Sequence, residues 1–432
     1  SRWMAPGPAA GAASPQPPKQ AVFVIDFGGG SIKVGLAAHP TSCKEVPSFI
    51  FKAKGERKVF VGDQIDACKD ITTLSLKSPF EKGYILGWDT LTELLERGFS
   101  EVKREHKAIS IKGSCCICTQ PPVTFSTINQ TLCRLLFETY EVASVCIVPV
   151  PCLTHLSYAS KHLQSPAALS NCGVVVDVGF SFTHISPIID GKVVGPAVVR
   201  CTIAGKFLTN YLKELVSYRA WNMMDDYYLI NDVKEKLCYC TMDVYEDLKL
   251  ARLPNKQNPV RREYVLPDGV HTLRGFVKMP SGGAEASKKE PEATKRAGQH
   301  EQTLSMNNER FTVPEILFRP SDIGAPQATL AEAVMQSVSR CPAEVHPLLL
   351  GSVLVTGGTT RLPGFRERFL QELRPLVPEQ YEVNVVHLEK PTLSAWQGGC
   401  ALAIRGGHTD ASVTPKTLAH LPERLKSFYA SF

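Results

Sequence analysis

Two stretches of the sequence place a carboxylate, a glycine turn and a basic or imidazole side chain at one spacing. Asp26 is followed by three glycines and, seven residues on, by Lys33; Asp177 is followed by Gly179 and, seven residues on, by His184. Glycine-rich tips expose backbone N–H groups that can approach an anion closely, and carboxylates can hold the waters of Mg²⁺. The repeat predicts two loops that close on one polyphosphate, although a glycine hairpin without a ligand would show the same pattern.

A third glycine turn follows another apolar run, SVLVTGGTTRLPGF, at residues 352–365. Gly357 and Gly358 end the predicted strand, and a helix is predicted to start at Phe365. Small residues at such a turn would let a flat base approach the backbone. An ordinary strand-to-helix turn explains the same residues, so this motif by itself predicts no ligand.

The elements that must position these turns alternate between strands and helices. The runs VFVID at 22–26 and GVVVDV at 173–178 are typical of strands buried on both faces. After Asp26 the apolar residues alternate with a period of two, which predicts a returning strand. A dinucleotide-binding turn would instead need glycine at Lys33 and a following helix. Helical stripes run along 128–140, 230–237 and 365–373, so the predicted class is α/β.

Composition excludes several classes of protein. The chain has 432 residues and a formal net charge of +6, which suits two or three globular units and is too mild to predict a nucleic-acid binder. No apolar run approaches the roughly 20 residues of a membrane span, and we expect neither a membrane protein nor a secreted one. The 14 cysteines lie in apolar runs, as buried cysteines do in a reducing compartment. Cys115, Cys116 and Cys118 lack a second ligand pair, so no zinc is predicted there.

Two segments are poor in apolar residues. Residues 1–20 are rich in Pro, Ala and Gly and predict a disordered tail. Residues 279–301 mix Gly, Pro, Lys and Glu and predict a disordered surface insertion. The insertion's basic residues alternate with acidic ones, which favours a solvated loop over a DNA-binding surface. A docking segment for a partner subunit is an equal interpretation.

Taken together, the three turns resemble those of the actin and sugar-kinase ATPase fold. Longer stretches are similar to the actin family specifically: VFVIDFGGGSIKVG (22–35), LLFETY (135–140), VVVDVGFSFTHISPI (174–188) and ERFTVPEILFRPSDIG (309–324). The similarity runs from about Ala21 to Ile404. Within the family, PFEKGYILGWD (79–89) and KELVSYR (213–219) are similar to a nuclear class of actin-related proteins.

The resemblance implies two facing lobes, each with a central mixed sheet, divided into four subdomains. Subdomain 1 would comprise 21–47, 75–159 and 394–432, and subdomain 2 would comprise 48–74 with a shortened loop. Subdomain 3 would comprise 160–203 and 326–393, and subdomain 4 would comprise 204–325 with the insertion.

The resemblance also implies a site for ATP or ADP with magnesium. The implied nucleotide-binding residues are Gly28, Gly29, Gly30, Ser31 and Lys33 in the first loop, Asp177 and Gly179 in the second, Lys234 and Glu235 on a helix, and Gly357, Gly358 and Thr359 beside the adenosine. Asp26 and Asp177 would face the magnesium through water, and His184 would lie near the attacking water.

Departures from the actin pattern argue against catalysis. Actins carry a glutamine that orients the hydrolytic water; here Pro151 falls at or next to its place, and proline has no side-chain donor or acceptor. Phe180 and Ser181 stand where actins have aspartate and glycine. An alignment shifted by a few residues would give the glutamine's part to Thr154 or His155. The sequence predicts a pseudo-ATPase.

The implied function is a non-catalytic structural subunit of a nuclear chromatin-remodelling complex of the SWR type, which exchanges a variant histone into nucleosomes. Its partners would be the other subunits, with nucleosome or histones touched indirectly or weakly, and no membrane; some protein would be cytoplasmic.

The loop between Pro47 and Val61 is shorter than actin's, so no filament is expected. Leu362 and Thr392 replace the tyrosine and lysine that sandwich adenine in actin. An active ATPase or kinase, or a cytoskeletal protein, are the alternatives.

Overall fold

The computed structural model describes residues 20–53, 58–71, 74–270, 272–278 and 301–430. Its strands, in chain order, are β1 Val22–Phe27, β2 Ser31–Leu36, β3 Lys44–Pro47, β4 Ile50–Ala53, β5 Val59–Val61, β6 Leu74–Lys77, β7 Phe80–Glu81, β8 Tyr84–Ile85, β9 Cys115–Gln120, β10 Ser144–Pro149, β11 Gly173–Val178, β12 Thr183–Ile189, β13 Lys192–Val193, β14 Val199–Cys201, β15 Arg262–Val265, β16 Phe276–Lys278, β17 Thr303–Met306, β18 Val353–Thr356 and β19 Val385–His387.

The helices, in the same order, are α1 Trp88–Glu105, α2 Ser126–Glu138, α3 Val150–Lys161, α4 Pro166–Ser170, α5 Gly205–Arg219, α6 Tyr227–Leu237, α7 Val244–Ala251, α8 Glu309–Glu315, α9 Leu330–Ser339, α10 His346–Leu350, α11 Phe365–Leu373, α12 Ser394–Ile404 and α13 Leu421–Lys426. None of the helices in the described part of the chain combines the length and the apolar character that a membrane span requires.

Two central sheets repeat one arrangement. The first has the order β10-β9-β1-β2-β3, and the second has the order β19-β18-β11-β12-β13, with β14 also paired to β12. In each, three neighbouring strands are parallel, and the next is the antiparallel partner in a hairpin. Such mixed sheets with helices around them confirm the α/β class and the expectation of two similar lobes.

The two glycine hairpins have the same register. Asp26 pairs with Lys33 across β1 and β2, and Asp177 pairs with His184 across β11 and β12. The last pairs before the tips, Phe27 with Ile32 and Val178 with Thr183, each enclose four residues. The alternation in the sequence therefore predicted both returning strands correctly, because a period of two keeps one face of each strand buried.

The helical stripes also form helices. Ile230, Val233 and Leu237 are buried on α6, and the next stripe is buried on α11 at Phe365, Phe369 and Leu373. Apolar residues three and four positions apart share one helix face, and burial of that face in the core stabilises a helix that propensity alone would leave marginal.

Helices α3 and α12 pack side by side between the two sheets. A Cβ added at Gly398 on α12 would overlap the carbonyl of Leu153 on α3. Trp396 on α12 is fully buried and donates its indole N–H to the Val24 oxygen at 3.2 Å. One apolar cluster here contains residues of both sheets, including Val24 and Val175. The lobes are thus joined at this end.

Two small sheets lie farther along the chain, with the orders β5-β4-β6 and β16-β15-β17. Arg274 connects their regions by donating to the carbonyls of Ile65, Asp66 and Cys68 at 2.9 to 3.1 Å. Most of the predicted disordered segments, residues 1–19 and 279–300, lie outside the described residues, as do positions 54–57 of the Pro47–Val61 loop. The subdomain boundaries stay predictions.

Candidate functional site

A cleft of about 480 Å³ lies between the lobes, and all three glycine turns line it. Small-molecule sites typically span roughly 300–1,000 Å³. The structure brings every sequence-predicted site residue to this cleft, and their ligand-binding roles stay predictions. These residues are Asp26, Gly28, Gly29, Gly30, Ser31, Lys33, Asp177, Gly179, His184, Lys234, Glu235, Gly357, Gly358 and Thr359.

The carbonyls of the first loop are held from one side. Ser48 donates its hydroxyl to the Gly28 oxygen at 2.6 Å and its backbone N–H to the Gly30 oxygen at 3.0 Å. A Cβ at Gly28 would lie 2.6 Å from the Ser31 oxygen, so only glycine fits there. Within the described residues, the amides of Gly29 and Gly30 have no protein acceptor. Unpaired amides at a glycine tip are suited to anionic oxygens.

The second loop is held by the start of α5. The Gly179 carbonyl accepts from the Gly205 N–H at 3.1 Å and from the Thr359 hydroxyl at 2.8 Å. The Phe180 carbonyl accepts from the Lys206 N–H at 2.7 Å. Across the described ranges, no protein acceptor pairs with the amides of Phe180 and Ser181. Both loops therefore have backbone donors left over for a ligand such as phosphate.

The carboxylates of the two hairpins have unequal surroundings. Asp26 lies 3.5 Å from the Lys33 ammonium and accepts from the Thr119 hydroxyl at 2.8 Å. Burial, together with the charge of Asp26, raises the pKa of Asp177 to about 6. The described residues contain no cluster of three or more side chains that could hold a metal. A magnesium ion would therefore depend on water and phosphate as well as these two carboxylates, as Mg²⁺ commonly does.

The third turn borders the side where the nucleoside is expected. Gly357 has φ +97°, and a Cβ there would lie 2.6 Å from the Asp177 carboxylate. Leu362 and Thr392 line the cleft beside this turn, together with Arg361. Leu362 and Thr392 would offer a base an aliphatic and a methyl surface instead of an aromatic ring, and their replacement of the actin residues stays a prediction.

Lys234 lines the cleft on α6, but its ammonium is already occupied. It donates to the Gly205 carbonyl at 3.1 Å, the Thr209 hydroxyl at 2.7 Å and the Asn231 side chain at 2.9 Å. Burial lowers its pKa to about 8. The side chain thereby ties α6 to α5, and the expectation that Lys234 flanks the adenosine stays a prediction. Glu235 accepts from Asn231 at 2.8 Å and is exposed.

The corner expected to hold an attacking water lies, by the resemblance, at or next to Pro151. The neighbouring Val150 lines the cleft, whereas Pro151 is buried outside the lining. The replacement of the glutamine stays a prediction. Thr154 and His155, the alternatives from a shifted alignment, are also buried outside it, and Thr154 lies 3.4 Å from the Ser394 hydroxyl. Helix α3 begins at Val150, and each helical residue turns the side chain by about 100°, so a shift of one residue changes the face.

His184 lines the same corner and is uncharged near neutral pH. Burial lowers its pKa to about 4, and repulsion from Arg200 adds to the effect. The Arg200 guanidinium lies 3.6 Å from the centre of the Phe182 ring and donates to the Lys82 carbonyl at 2.8 Å and the Tyr84 hydroxyl at 2.9 Å. Arg200 thereby connects the two lobes beside the cleft.

Sequence reasoning missed several residues that line the cleft. Glu45 on β3 accepts from the Ser31 hydroxyl at 2.6 Å, and its backbone pairs with that of Lys33. Tyr227 and Asn231 lie eight and four positions before Glu235 on α6, respectively, on the same helix face. That spacing was a usable signal, because residues four apart on a helix are neighbours. Glu45 had no such signal, since its pairing depends on the third strand.

Comparisons with known proteins cover nearly the whole chain. A family model described as "Actin" matches residues 18–417. Actin-related protein 6 of Oryza sativa subsp. japonica is 38% identical over 411 residues, covering 91% of this chain and 94% of the relative. Actin-related protein 6 of Arabidopsis thaliana is 35% identical over 399 residues, covering 88% and 92%. The protein of the same name from Drosophila melanogaster is 37% identical over 385 residues, covering 89% and 93%.

Proposed function

Because the chain belongs to the actin family, we propose that it is a non-catalytic, actin-like structural subunit of a nuclear chromatin-remodelling complex. The complex would exchange a variant histone into nucleosomes. The similarity to proteins named actin-related protein 6 supports this role, since the sequence motifs are similar to that nuclear class. The chain would contribute a rigid two-lobed surface to its partner subunits instead of a chemical step.

The non-catalytic part of this proposal is supported by the residues at the corner expected to hold the attacking water, which we call the water corner. Val150, Pro121 and Pro122 line the cleft, and none has a side-chain donor or acceptor. His184 remains, uncharged, with a pKa of about 4. Groups that orient or deprotonate a reacting water typically contribute about 100- to 10,000-fold to a rate. The absence of a side-chain amide at Val150 is expected to slow hydrolysis by a factor of this order.

The cleft is still suited to a bound nucleotide. The unpaired amides of Gly29 and Gly30 and the Lys33 ammonium would hold phosphate oxygens, while Asp26 and Asp177 would hold a magnesium ion through water. Bound magnesium would neutralise phosphate charge. The ligand would then serve to bridge the lobes, because its phosphates would contact loops from both sheets.

Hydrolysis can be tested in the full chain with γ-labelled ATP and magnesium under single-turnover conditions. We expect no phosphate release above a buffer blank over hours. Val150→Gln restores an amide at the corner and is expected to raise release, whereas Val123→Gln, at a site 51% exposed, is the matched control. Release by the unmodified chain at a rate like that of actin would contradict the proposal.

The partner and compartment assignments have a separate test. Affinity purification of the tagged chain from nuclear extract should recover subunits of a remodelling complex, identified by mass spectrometry. Recovery of cytoskeletal proteins alone would contradict the assignment. Head-to-tail polymerisation is not expected, and sedimentation at high protein concentration should leave the chain in the supernatant.

A further inference from the structure

The phosphate end of the cleft is narrowed by side chains of the second loop. A Cβ placed at Gly30 would lie 3.4 Å from Cβ and Cδ2 of Phe180. A Cβ placed at Gly29 would lie 3.4 Å from Phe180 Cδ1 and 2.5 Å from the Ser181 hydroxyl. The tips of the two glycine loops therefore lie so close together that Phe180 and Ser181 leave little space beside Gly29 and Gly30.

Phe180 is held in this position by its neighbours. Its ring packs edge-on against Phe49 at 5.7 Å between centroids and against Tyr227 at 6.4 Å. Phe49 comes from the first lobe and Tyr227 from the second, so the ring lies in an aromatic cluster that crosses the cleft. The Lys206 N–H fixes the Phe180 carbonyl at 2.7 Å. Moving the ring aside would break contacts with both lobes.

Charge at this end also opposes a further phosphate group. Asp26, Glu45 and Asp177 are carboxylates in the lining, and Lys33 is the cation beside them. The Lys33 ammonium already contacts Asp26 at 3.5 Å and the Ser31 carbonyl at 3.2 Å. The lining also includes Val150, Pro121 and Pro122, whose side chains have no hydrogen-bond donor. A phosphate beside these side chains would lose water and gain no hydrogen bond from them.

We propose that the cleft selects a magnesium-bound nucleoside diphosphate over the triphosphate, and that Phe180 is the residue that determines this specificity. The inference rests on the nucleotide site of the proposed function and deepens it. The nucleoside end and two phosphates would use the third turn and the unpaired loop amides. The terminal phosphate of a triphosphate would have to displace the Phe180 ring.

The experiment is isothermal titration of the full chain, stripped of nucleotide by EDTA and returned to magnesium buffer. The probes are ADP and a non-hydrolysable ATP analogue, so binding is read without turnover. We expect the unmodified chain to bind ADP at least tenfold more tightly. In Phe180→Ala the ratio should fall to within threefold of one. Phe125→Ala, at a ring 61% exposed and outside the cleft lining, should keep the original ratio.

The outcomes separate this inference from the proposed function. Equal affinities in the unmodified chain would overturn diphosphate selection and leave the nucleotide site standing. If neither probe bound to the unmodified chain or to the variant, both diphosphate selection and the nucleotide site would be overturned. Phe180→Leu provides a second variant if Phe180→Ala fails to fold, and a preference kept unchanged in a folded Phe180 variant would overturn the role of that side chain.

Discussion

The two glycine hairpins share a backbone and differ in their chemistry. In both, a carboxylate at the strand end pairs across the hairpin with the residue seven positions later. In the first hairpin that residue is Lys33, whose ammonium neutralises Asp26 in a buried setting. In the second it is His184, which is uncharged near neutral pH, and Asp177 has a raised pKa.

The tips of the two hairpins also differ in their side chains. The first tip consists of three glycines, of which Gly29 and Gly30 have amides with no acceptor among the described residues, whereas the second places Phe180 and Ser181 against it. A repeated turn therefore supplies equivalent positions in space, while the side chains at those positions decide whether the site is charged, apolar or open. Substitutions at matched positions measure this difference directly.

The largest effect is expected from removing the charge partner of Asp26. Lys33→Met leaves a buried carboxylate with the Thr119 hydroxyl as its remaining donor. Breaking a buried ion pair typically costs about 3–5 kcal/mol, and the low end is expected here because the pair is 3.5 Å apart. The measurement is urea unfolding followed by tryptophan fluorescence in EDTA.

His184→Met is the matched variant in the second hairpin. Because His184 carries no charge at pH 7.5, its loss leaves no carboxylate newly unpaired, and the change in unfolding free energy should stay below about 1 kcal/mol. Equal losses for the two variants would show that the hairpins are energetically equivalent after all.

For Asp177→Asn we expect a change in the free energy of unfolding that is intermediate in size and opposite in sign, so that the variant is more stable. Burial raises the pKa of Asp177 in the folded state to about 6 from the ordinary value of 3.8, so the folded state binds this proton more tightly. The resulting stabilisation is complete below about pH 4 and is lost as pH rises through 6. Asparagine avoids the charge, so the variant should be more stable by about 1–3 kcal/mol at pH 8 and should show no gain at pH 4.

The same unfolding experiment across pH 4 to 8 in EDTA measures this dependence. Asp26→Asn is the matched variant, and it should be destabilising at pH 8 because it removes the partner of Lys33. A gain for Asp177→Asn that did not vary with pH would contradict the assigned cause.

The smallest effect concerns the contact between the two tips. Gly29→Ala places a methyl group 2.5 Å from the Ser181 hydroxyl, and we expect a loss of about 1 kcal/mol. Ser181→Gly makes room for the methyl group, so the double variant should recover most of that loss. A double-mutant cycle should give a coupling of about 0.5–1 kcal/mol. Additive losses would show that the tips do not touch in solution.

Much of the site could be predicted from the sequence because its backbone parts are local. The glycines, the strand alternation and the seven-residue spacing lie within single hairpins, so Asp26, Lys33, Asp177 and His184 were placed correctly. The contents of the water corner could not be predicted in the same way. Whether Val150 or Pro151 lines the cleft depends on the residue at which α3 begins, and a one-residue shift selects another face.

The sequence by itself determined the α/β class, the two hairpins and, through its motifs, the family. These features depend on short-range periodicity and on sequence motifs, both of which can be read from a single chain. Tertiary structure alone decided which polar groups remain available. The Lys234 ammonium is occupied by Gly205 and Thr209, and the Ser31 hydroxyl is occupied by Glu45. Hydrogen bonds and ring contacts form between side chains that folding brings together from distant elements, and no local pattern encodes which partner each buried group will find.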